Sequence, residues 1–480
     1  MENEYHIKTR GGPGRRRCPK KAITLNGGMR MPDLHALAVA RGTAQTTAAG
    51  RSESARYRYV VAACLCVVYT FNFLDRQFLA ILAEPVKHSL HLTDTQLGLL
   101  TGLMFALFYT IFGIPVAALA DRYNRVRIVA LACGLWSFCS AACGLAAGFG
   151  SLAIARMGVG VGEAGGAAPS YSIISDYFPP EKRGVGLAIF SLGVPFGTML
   201  GAASGGWIAA HYGWRIAFFV LGGAGVLLAP LIPLIVREPA RGRLDASGSA
   251  AGSTEPAASV FTAIKVFVRS PTLVLTACAA GLTAVIIYGL LSWMPAYLIR
   301  EEGMSLSQIA TSYSFVAGAT IGIGTLVGGY LVDKVAPRRP ALYALLPGTF
   351  VLLGLPFLFG VTAAHSGPMA LLFMAGPYIL ANTYLAPALT VIQNSVAPSQ
   401  RSAAGAIFLF VLNIIGLGCG PLLIGVASDW FAPTYGVHAL RMALLCLAPV
   451  FVLVFLVQLA AAWTLKTALP GVGGATLAKE

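Results

Sequence analysis

Charged residues are scarce in this sequence: Asp, Glu, Lys and Arg make up 11% of its 480 residues. Soluble domains usually carry about 25% charged residues. Hydrophobic residues make up 56% of the chain, which is more apolar sequence than a soluble core can absorb. The composition therefore excludes an ordinary soluble protein.

The sequence also lacks the motifs that carry common enzymatic chemistry. It has no Walker loop, no HExxH and no convincing nucleophile elbow, which argues against an enzyme or an ATP-driven pump. None of its nine cysteines has the spacing of a metal site, and we interpret those within apolar runs as small packing residues. We expect no metal and no cofactor.

Long apolar runs recur along the whole chain. About 20 helical residues cross a hydrocarbon layer of ~30 Å, and the alternation typical of a membrane barrel is absent. Backbone groups inside lipid must pair within their own segment, which favours helices. Twelve spans are predicted, at residues 59–83, 95–119, 126–148, 150–174, 184–210, 213–236, 270–298, 306–331, 340–362, 367–393, 402–427 and 438–464.

The excess of basic residues is distributed unevenly between the two sides of the predicted membrane. If the N-terminus is cytoplasmic, 28 of the 34 Lys and Arg face the cytoplasm and 4 face outward. This is the positive-inside pattern. It predicts an inner-membrane protein with both termini cytoplasmic, and it explains the net charge of +15 without a nucleic-acid partner.

Two stretches of polar, flexible composition divide the chain. We expect a disordered basic tail, two six-helix bundles and a cytoplasmic linker with a surface helix near its end. The predicted boundaries are 1–57 for the tail, 58–236 for the first bundle, 237–269 for the linker, 270–465 for the second bundle and 466–480 for the C-terminal tail.

The two halves share landmarks in the same order. DRYNRVR follows the second span at 121–127 and DKVAPRR follows the eighth at 333–339, a separation of 212 residues. PEKR at 180–183 and PSQR at 398–401 are separated by 218 residues. Such duplication is how many transporters build two bundles around a central site. We therefore predict an all-α membrane protein with twelve transmembrane helices in two pseudo-symmetric six-helix bundles.

Twelve spans, a central linker and a repeated D-R-x-x-R-type motif resemble the major facilitator superfamily. Within it, FNFLDRQF at 71–78, LLTG at 99–102 with Phe105, and RMGVGVGEA at 156–164 resemble the Spinster-like branch. The resemblance implies transport by alternating access, a sphingolipid- or lysolipid-type substrate and proton coupling. We expect a monomer whose partners are membrane lipids, protons and a small amphiphile.

Four ionisable residues lie well inside the predicted spans: Asp75, Arg76, Arg156 and Glu163. A charge at the centre of a membrane helix costs about 2.5–3.5 kcal/mol, so it persists when it is paired or lines a wet cavity. A rise of ~1.5 Å per residue puts Asp75 and Arg156 at similar depth, which predicts an ion pair between them. Glu163 is almost two turns from Arg156 on the same face.

We predict that Asp75 and Glu163 couple transport to protons, and that Arg76, Arg156 and Glu163 bind substrate. Asn382 and Thr383 could add polar contacts, although packing between helices explains them equally well. The corresponding positions of the second half are apolar, which favours a substrate with an ionic head and a long tail. A purely structural clamp between the first and fourth spans is the alternative for the four charged residues.

The repeated motifs also predict gate elements at the cytoplasmic junctions, where an Asp can meet a helix N-terminus and an Arg can bridge to neighbouring carboxylates. A role in membrane topology alone is the alternative. The candidates are Asp121, Arg125, Arg127, Asp333 and Arg338.

Two other functions remain open from the sequence. One is a proton-coupled transporter of a small organic anion, with Arg156 binding the carboxylate of the substrate. The other is a membrane receptor or scaffold that transports nothing, for which Asp75 and Glu163 would be dispensable.

Overall fold

The computed structural model describes residues 55–242, 244, 260–334, 339–396 and 400–468, and no strand occurs among them. Most of the predicted N-terminal tail and Arg338 lie outside the described residues. The helices of the first half are Ala55–Ile81, Ala83–Leu90, Asp94–Gly98, Leu99–Leu103, Met104–Arg122, Arg125–Cys143, Phe149–Glu163, Ala167–Tyr177, Pro180–Lys182, Arg183–Ser191, Gly193–Tyr212 and Trp214–Ile235.

A helix over Val260–Arg269 occupies the end of the linker, where a surface helix is predicted. The second half then contains Pro271–Arg300, Leu306–Gln308, Ile309–Tyr313, Ser314–Lys334, Leu342–Thr362, Gly367–Ala381, Leu385–Asn394, Arg401–Leu412, Asn413–Gly418, Cys419–Tyr435, Gly436–His438, Ala439–Leu445 and Ala448–Ala468.

Within the described residues, ten helical stretches are long and apolar enough to cross a membrane. One of them, Ala403–Lys466, is 64 residues long and contains the predicted eleventh and twelfth spans. The fourth span is not among the ten because its helix is interrupted after Glu163. Twelve crossings follow, as predicted, and we number them span 1 to span 12.

The second and eighth spans begin in the same way. Thr93 and Gln96 exchange hydrogen bonds at the start of span 2, and Ser305 and Gln308 do the same at the start of span 8. Each pair is a capping box, which satisfies N–H groups at a helix start. A π-helical turn follows in both, at Leu99–Leu103 and Ile309–Tyr313.

A second repeated contact joins the fourth span to the fifth and the tenth to the eleventh. Arg183 Nε donates to the carbonyl of Ser175 at 3.0 Å, and Arg401 Nε donates to the carbonyl of Gln393 at 3.1 Å. Both arginines belong to the landmarks that predict the duplication. The halves thus repeat the same local structure, and the prediction of two pseudo-symmetric bundles is confirmed.

Glycines allow span 5 to pack closely on span 1. A Cβ on Gly197 would lie 2.5 Å from the carbonyl oxygen of Thr70, and one on Gly201 would lie 2.7 Å from that of Leu74. Small residues at such positions let helix backbones approach in a membrane. This contact fixes span 1, which carries Asp75 and Arg76, against the rest of its bundle.

Span 4 is held against its neighbours in the same manner. A Cβ on Gly160 would lie 2.8 Å from the carbonyl oxygen of Phe105 in span 2, and one on Gly162 would lie 2.5 Å from the backbone nitrogen of Trp136 in span 3. Both glycines lie between Arg156 and Glu163 in the sequence. Their close packing sets the position of the two charged side chains.

Replacing Gly162 by Ala is expected to destabilise the protein by about 1–3 kcal/mol, the usual cost of overpacking a filled site, because the Trp136 backbone cannot move aside easily. Thermal unfolding in detergent measures the effect. Gly150→Ala in the same helix is the matched control, since a Cβ there meets nothing within 4 Å. Equal melting temperatures for the two variants would contradict the packing described here.

Candidate functional site

The charged residues predicted from the sequence lie in the interior of the first half. Asp75 is 4% exposed, and Arg156 and Glu163 are each 1% exposed. Arg76 Nε donates to Glu163 Oε2 at 2.8 Å, so this pair joins span 1 to span 4. Burial of several charges together is costly unless each finds a partner, so the partners of each group decide what the cluster can do.

Aromatic rings surround the Arg76 guanidinium. Its central carbon lies 4.8 Å from the ring centroid of Phe73, 5.0 Å from that of Phe105 and 4.9 Å from that of Tyr109. Ring faces attract cations by their quadrupole, most strongly where water is excluded. Arg76 is therefore held by one carboxylate and three rings.

Arg156 has a different environment. Its guanidinium lies 5.2 Å from the centroid of the same Phe105 ring. Its Nε and Nη1 atoms are buried and have no hydrogen-bond partner among the described residues. An unsatisfied buried donor costs about 1–3 kcal/mol. Arg156 is thus a buried cation whose donors are available to a ligand.

The predicted Asp75–Arg156 ion pair is wrong for this conformation. Asp75 Oδ1 instead accepts a hydrogen bond from Ser140 Oγ of span 3, and its Oδ2 has no partner among the described residues. Depth along a helix axis carries no information on the direction in which each side chain points. Ser140 is uncharged and gave no signal in the sequence.

A narrow cavity lies beside the cluster and is lined by both halves. The first half contributes Arg76, Arg156 and Phe105, and the second contributes Tyr288, Leu291, Ser292 and Leu417. The centre of a water molecule fits in only about 20 Å³ of this cavity. The cavity walls match the predicted asymmetry, since the second half contributes no charged side chain. A substrate of any size requires the halves to move apart here.

Asn382 and Thr383 lie away from this cavity, at the break between the two helices of span 10. Asn382 Nδ2 donates to the carbonyl of Tyr378 at 2.7 Å, and Thr383 Oγ1 donates to that of Leu380 at 2.8 Å. A Cβ on Gly328 of span 8 would lie 2.6 Å from the carbonyl oxygen of Thr383. These contacts favour the packing interpretation of both residues.

Arg125, one of the predicted gate residues, holds span ends together within the first half. It is 2% exposed and donates to Glu238 at 2.7 Å, to Asp176 at 2.5 Å and to the carbonyl of Pro239 at 2.9 Å. These partners follow span 6 or belong to span 4. The described contacts of Arg125 do not reach the second half, so they brace one bundle.

The other predicted gate residues form no ion pair in the described part of the chain. Arg127 is exposed, and only its backbone nitrogen is bonded, to Asn124 Oδ1 at 2.8 Å. Asp121 is exposed, and its carbonyl accepts from Arg241. The side chain of Asp333 and all of Arg338 lie outside the described residues.

Ionic contacts between the halves occur at the end of the spans opposite to the predicted gate residues. We call the end where span 1 finishes and span 2 begins, around residues 82–93, the first-loop end. There Arg300 of span 7 donates to Glu84 at 2.7 Å and to both carboxylate oxygens of Asp94 at 2.6 and 2.8 Å. Lys87 Nζ and Ser428 Oγ also donate to Asp94, at 2.5 and 2.6 Å.

Asp429 of span 11 adds a second link across the same end. Its carboxylate accepts from the backbone nitrogens of Asp94 and Thr95, at 3.1 and 2.7 Å. An acidic group at a helix N-terminus satisfies free N–H groups and complements the helix dipole. The first turn of span 2 is therefore capped by a residue of the other half. Sequence reasoning missed this contact because its members are more than 300 residues apart.

Arg300→Gln is expected to open the first-loop end, because it removes the charge-assisted bonds from Arg300 to Glu84 and to both oxygens of Asp94, which link the halves there. Labelling of a cysteine introduced at Ser292 by a membrane-impermeant maleimide, added from the first-loop side, should rise several-fold. Arg441→Gln is the control, since Arg441 lies at the same end but pairs with Glu301 and Glu302 of its own half. Equal labelling in the two variants would contradict the assignment.

Residues 65–414 match the family model of the Major Facilitator Superfamily. The chain belongs to this superfamily. It is a secondary transporter that works by alternating access, not an enzyme, and it passes through the membrane several times. The resemblance to the superfamily that the sequence motifs indicate is thus confirmed.

Individual relatives support the same assignment. An MFS-type efflux pump of Mycolicibacterium smegmatis is 33% identical over 83% of this chain and 91% of its own length. Protein spinster homolog 1 of Homo sapiens is 26% identical over 77% of this chain and 73% of its own length. The 3-(3-hydroxy-phenyl)propionate transporter of Escherichia coli is 30% identical over 81% of this chain and 91% of its own length.

A solved structure shows the same fold. It is a bacterial homologue of the human lysosomal transporter Spinster in an inward-facing and unoccupied conformation, with 31% identity and a TM-score of 0.78. The alignment covers 87% of this chain and 99% of that one. The Spinster-like branch that the sequence motifs indicate is therefore confirmed as well.

Proposed function

We propose that this chain is a proton-coupled transporter of an anionic amphiphile of the lysolipid or sphingolipid class. The observation that carries the proposal is Arg156, a buried guanidinium with two unpartnered nitrogens beside a cavity whose other wall is uncharged. Arg156 is the only one of the four central charged residues with no ion pair or hydrogen bond among the described contacts.

The head group of the substrate binds Arg156. A phosphate or carboxylate can accept two parallel hydrogen bonds from one guanidinium, which supplies geometry as well as energy. The apolar remainder of the substrate lies along Leu291 and Leu417 after the halves separate. This division of the cavity suits a molecule with one ionic end and a long tail.

Protons control the cluster through the two carboxylates. Asp75 Oδ2 and Glu163 Oε1 are buried and have no hydrogen-bond partner among the described residues, so each is an oxygen that a proton can occupy. A proton on Glu163 weakens its bond to Arg76, and a proton on Asp75 removes a nearby negative charge that would repel an anion bound at Arg156. Proton binding and anion binding are thereby linked, as a coupled carrier requires.

The transporter lies in the inner membrane with both termini in the cytoplasm and acts as a monomer. The positive-inside distribution supports this orientation, and the first-loop end then faces outward. The conformation described here is therefore closed on the outer side. Alternation to the outward-facing state breaks the bonds that Arg300 and Asp429 make across the first-loop end.

A small organic anion is the second candidate substrate. Arg156 can hold any carboxylate, the cavity is narrow in this conformation, and one relative carries a name that assigns it an aromatic acid. This candidate uses the same Arg156 but needs no apolar wall.

Competition between the two substrate classes tests the proposal. Purified protein in detergent is titrated with a lysophosphatidic acid, a single-chain sphingoid phosphate and a benzoate-like acid, and binding is followed by the intrinsic fluorescence of its tryptophans. The proposal predicts saturable binding of the single-chain lipids that the aromatic acid fails to displace. Displacement by the acid at comparable concentration would assign the site to small anions instead.

A further inference from the structure

We propose that a groove between spans 9 and 12 is a binding site for an anionic phospholipid of the bilayer. This site is separate from the transport cavity. Its ligand would be a phospholipid that stays with the protein, with one acyl chain in the groove and its phosphate at Lys466.

The groove has a volume of about 480 Å³. Leu345 of span 9 lines one side, and Leu456, Leu459, Ala460 and Trp463 of span 12 line the other. It is open along its side, and Leu456, Leu459 and Trp463 are exposed. In a chain that spans a membrane, an open groove between two apolar helices faces hydrocarbon. An acyl chain is the component of the bilayer with the shape to fill it.

Charge identifies the head group. Lys466 is exposed and is the polar residue of the groove lining. Arg339 is also exposed, and it lies two residues before Ala341, another lining residue. No described residue forms an ion pair with either side chain. Trp463 lies one turn before Lys466, and Trp is enriched at the level of lipid head groups.

The position of Lys466 and Arg339 along the spans favours an anionic lipid over a zwitterionic one. Lys466 and Arg339 lie at the end that carries the start of span 1, which the positive-inside distribution assigns to the cytoplasm. Anionic lipids attract basic residues at that surface. A protein or soluble ligand would have to displace lipid from an apolar groove to bind there.

Native mass spectrometry of the full chain tests the site. Protein in detergent is incubated with equal amounts of dioleoyl phosphatidylglycerol and dioleoyl phosphatidylcholine, and the retained adducts are counted. We expect one preferred phosphatidylglycerol adduct. Lys466→Gln should reduce the preference about fivefold, the factor that one surface lysine contributes to anionic lipid binding. Lys466→Arg should restore it.

Two controls separate this site from general attraction. Lys182→Gln removes an exposed lysine elsewhere and should leave the preference unchanged. Ala460→Phe fills the groove without touching Lys466 and should remove the adduct of either lipid. An unchanged preference in Lys466→Gln, or equal retention of the two lipids, would overturn the proposal. It would also be overturned if the adduct formed only after deletion of residues 469–480.

Discussion

Arg156→Gln is expected to weaken the binding of an anionic single-chain lipid by at least about 100-fold, because each of two hydrogen bonds to a charged group contributes about 1.5–3 kcal/mol. Two of the Arg156 nitrogens are buried without a partner, so the free protein loses little when they are removed. The substrate loses both bonds. The dissociation constant of a lysophosphatidic acid, measured by tryptophan fluorescence, checks the prediction.

Two further variants keep this prediction specific. Arg127→Gln changes an exposed arginine whose side chain makes no described contact, and it should leave affinity unchanged. Arg156→Lys keeps the charge but cannot form two parallel bonds, so it should give an intermediate loss. Wild-type affinity in Arg156→Gln would remove this residue from the substrate site and favour the structural clamp.

Asp75→Asn is expected to abolish the response of transport to a pH gradient. One coupled proton moving through a gradient of one pH unit supplies about 1.4 kcal/mol, equivalent to a tenfold accumulation of substrate. Asn keeps the size of the side chain and can still form a hydrogen bond with Ser140. Unlike a carboxylate, however, its amide does not bind and release a proton. Wild-type proteoliposomes should therefore accumulate more substrate with the gradient than without it. Proteoliposomes of the variant should accumulate the same amount of substrate in both conditions.

Ser140→Ala is the matched control for Asp75. It removes the hydroxyl that donates to Asp75 Oδ1 but keeps the carboxylate. Coupling should survive in this variant, although its pH dependence should shift because a donor to the charged form is lost. Undiminished coupling in Asp75→Asn would remove Asp75 from the proton pathway and leave Glu163 as the remaining candidate.

The fold and the residues of the central cluster could be read from the sequence because both rest on strong signals. Apolar runs of membrane-crossing length fix the spans, and a charge within such a run is conspicuous. The repeated landmarks at 180–183 and 398–401 predicted the duplication, and their arginines make the same contact in both halves.

The partners of those charges could not be read in the same way. Distance along a helix gives depth, but the direction of a side chain depends on how neighbouring helices pack. Arg76 thus pairs with Glu163, and Asp75 turns to Ser140. Uncharged members of the site, such as Ser140, are common residues of apolar helices and carry no distinguishing pattern.

The predicted gate illustrates a second limit. Arg125 was assigned from its motif to contacts that close the transporter, yet its described bonds brace one half. The contacts between the halves use Arg300, Asp94 and Asp429, which lie at span ends where charged residues are unremarkable. Only the packing of spans 2, 7 and 11 brings them together.

Substrate-dependent proton flux in wild-type proteoliposomes distinguishes a proton-coupled lipid transporter from a protein that does not couple lipid movement to protons. A pH-sensitive dye inside the vesicles reports proton movement when a lysophosphatidic acid is added on one side without an imposed gradient. We expect a proton current that requires the lipid, saturates with its concentration and disappears in Asp75→Asn. Lipid movement without any proton current, or no movement of lipid at all, would contradict it.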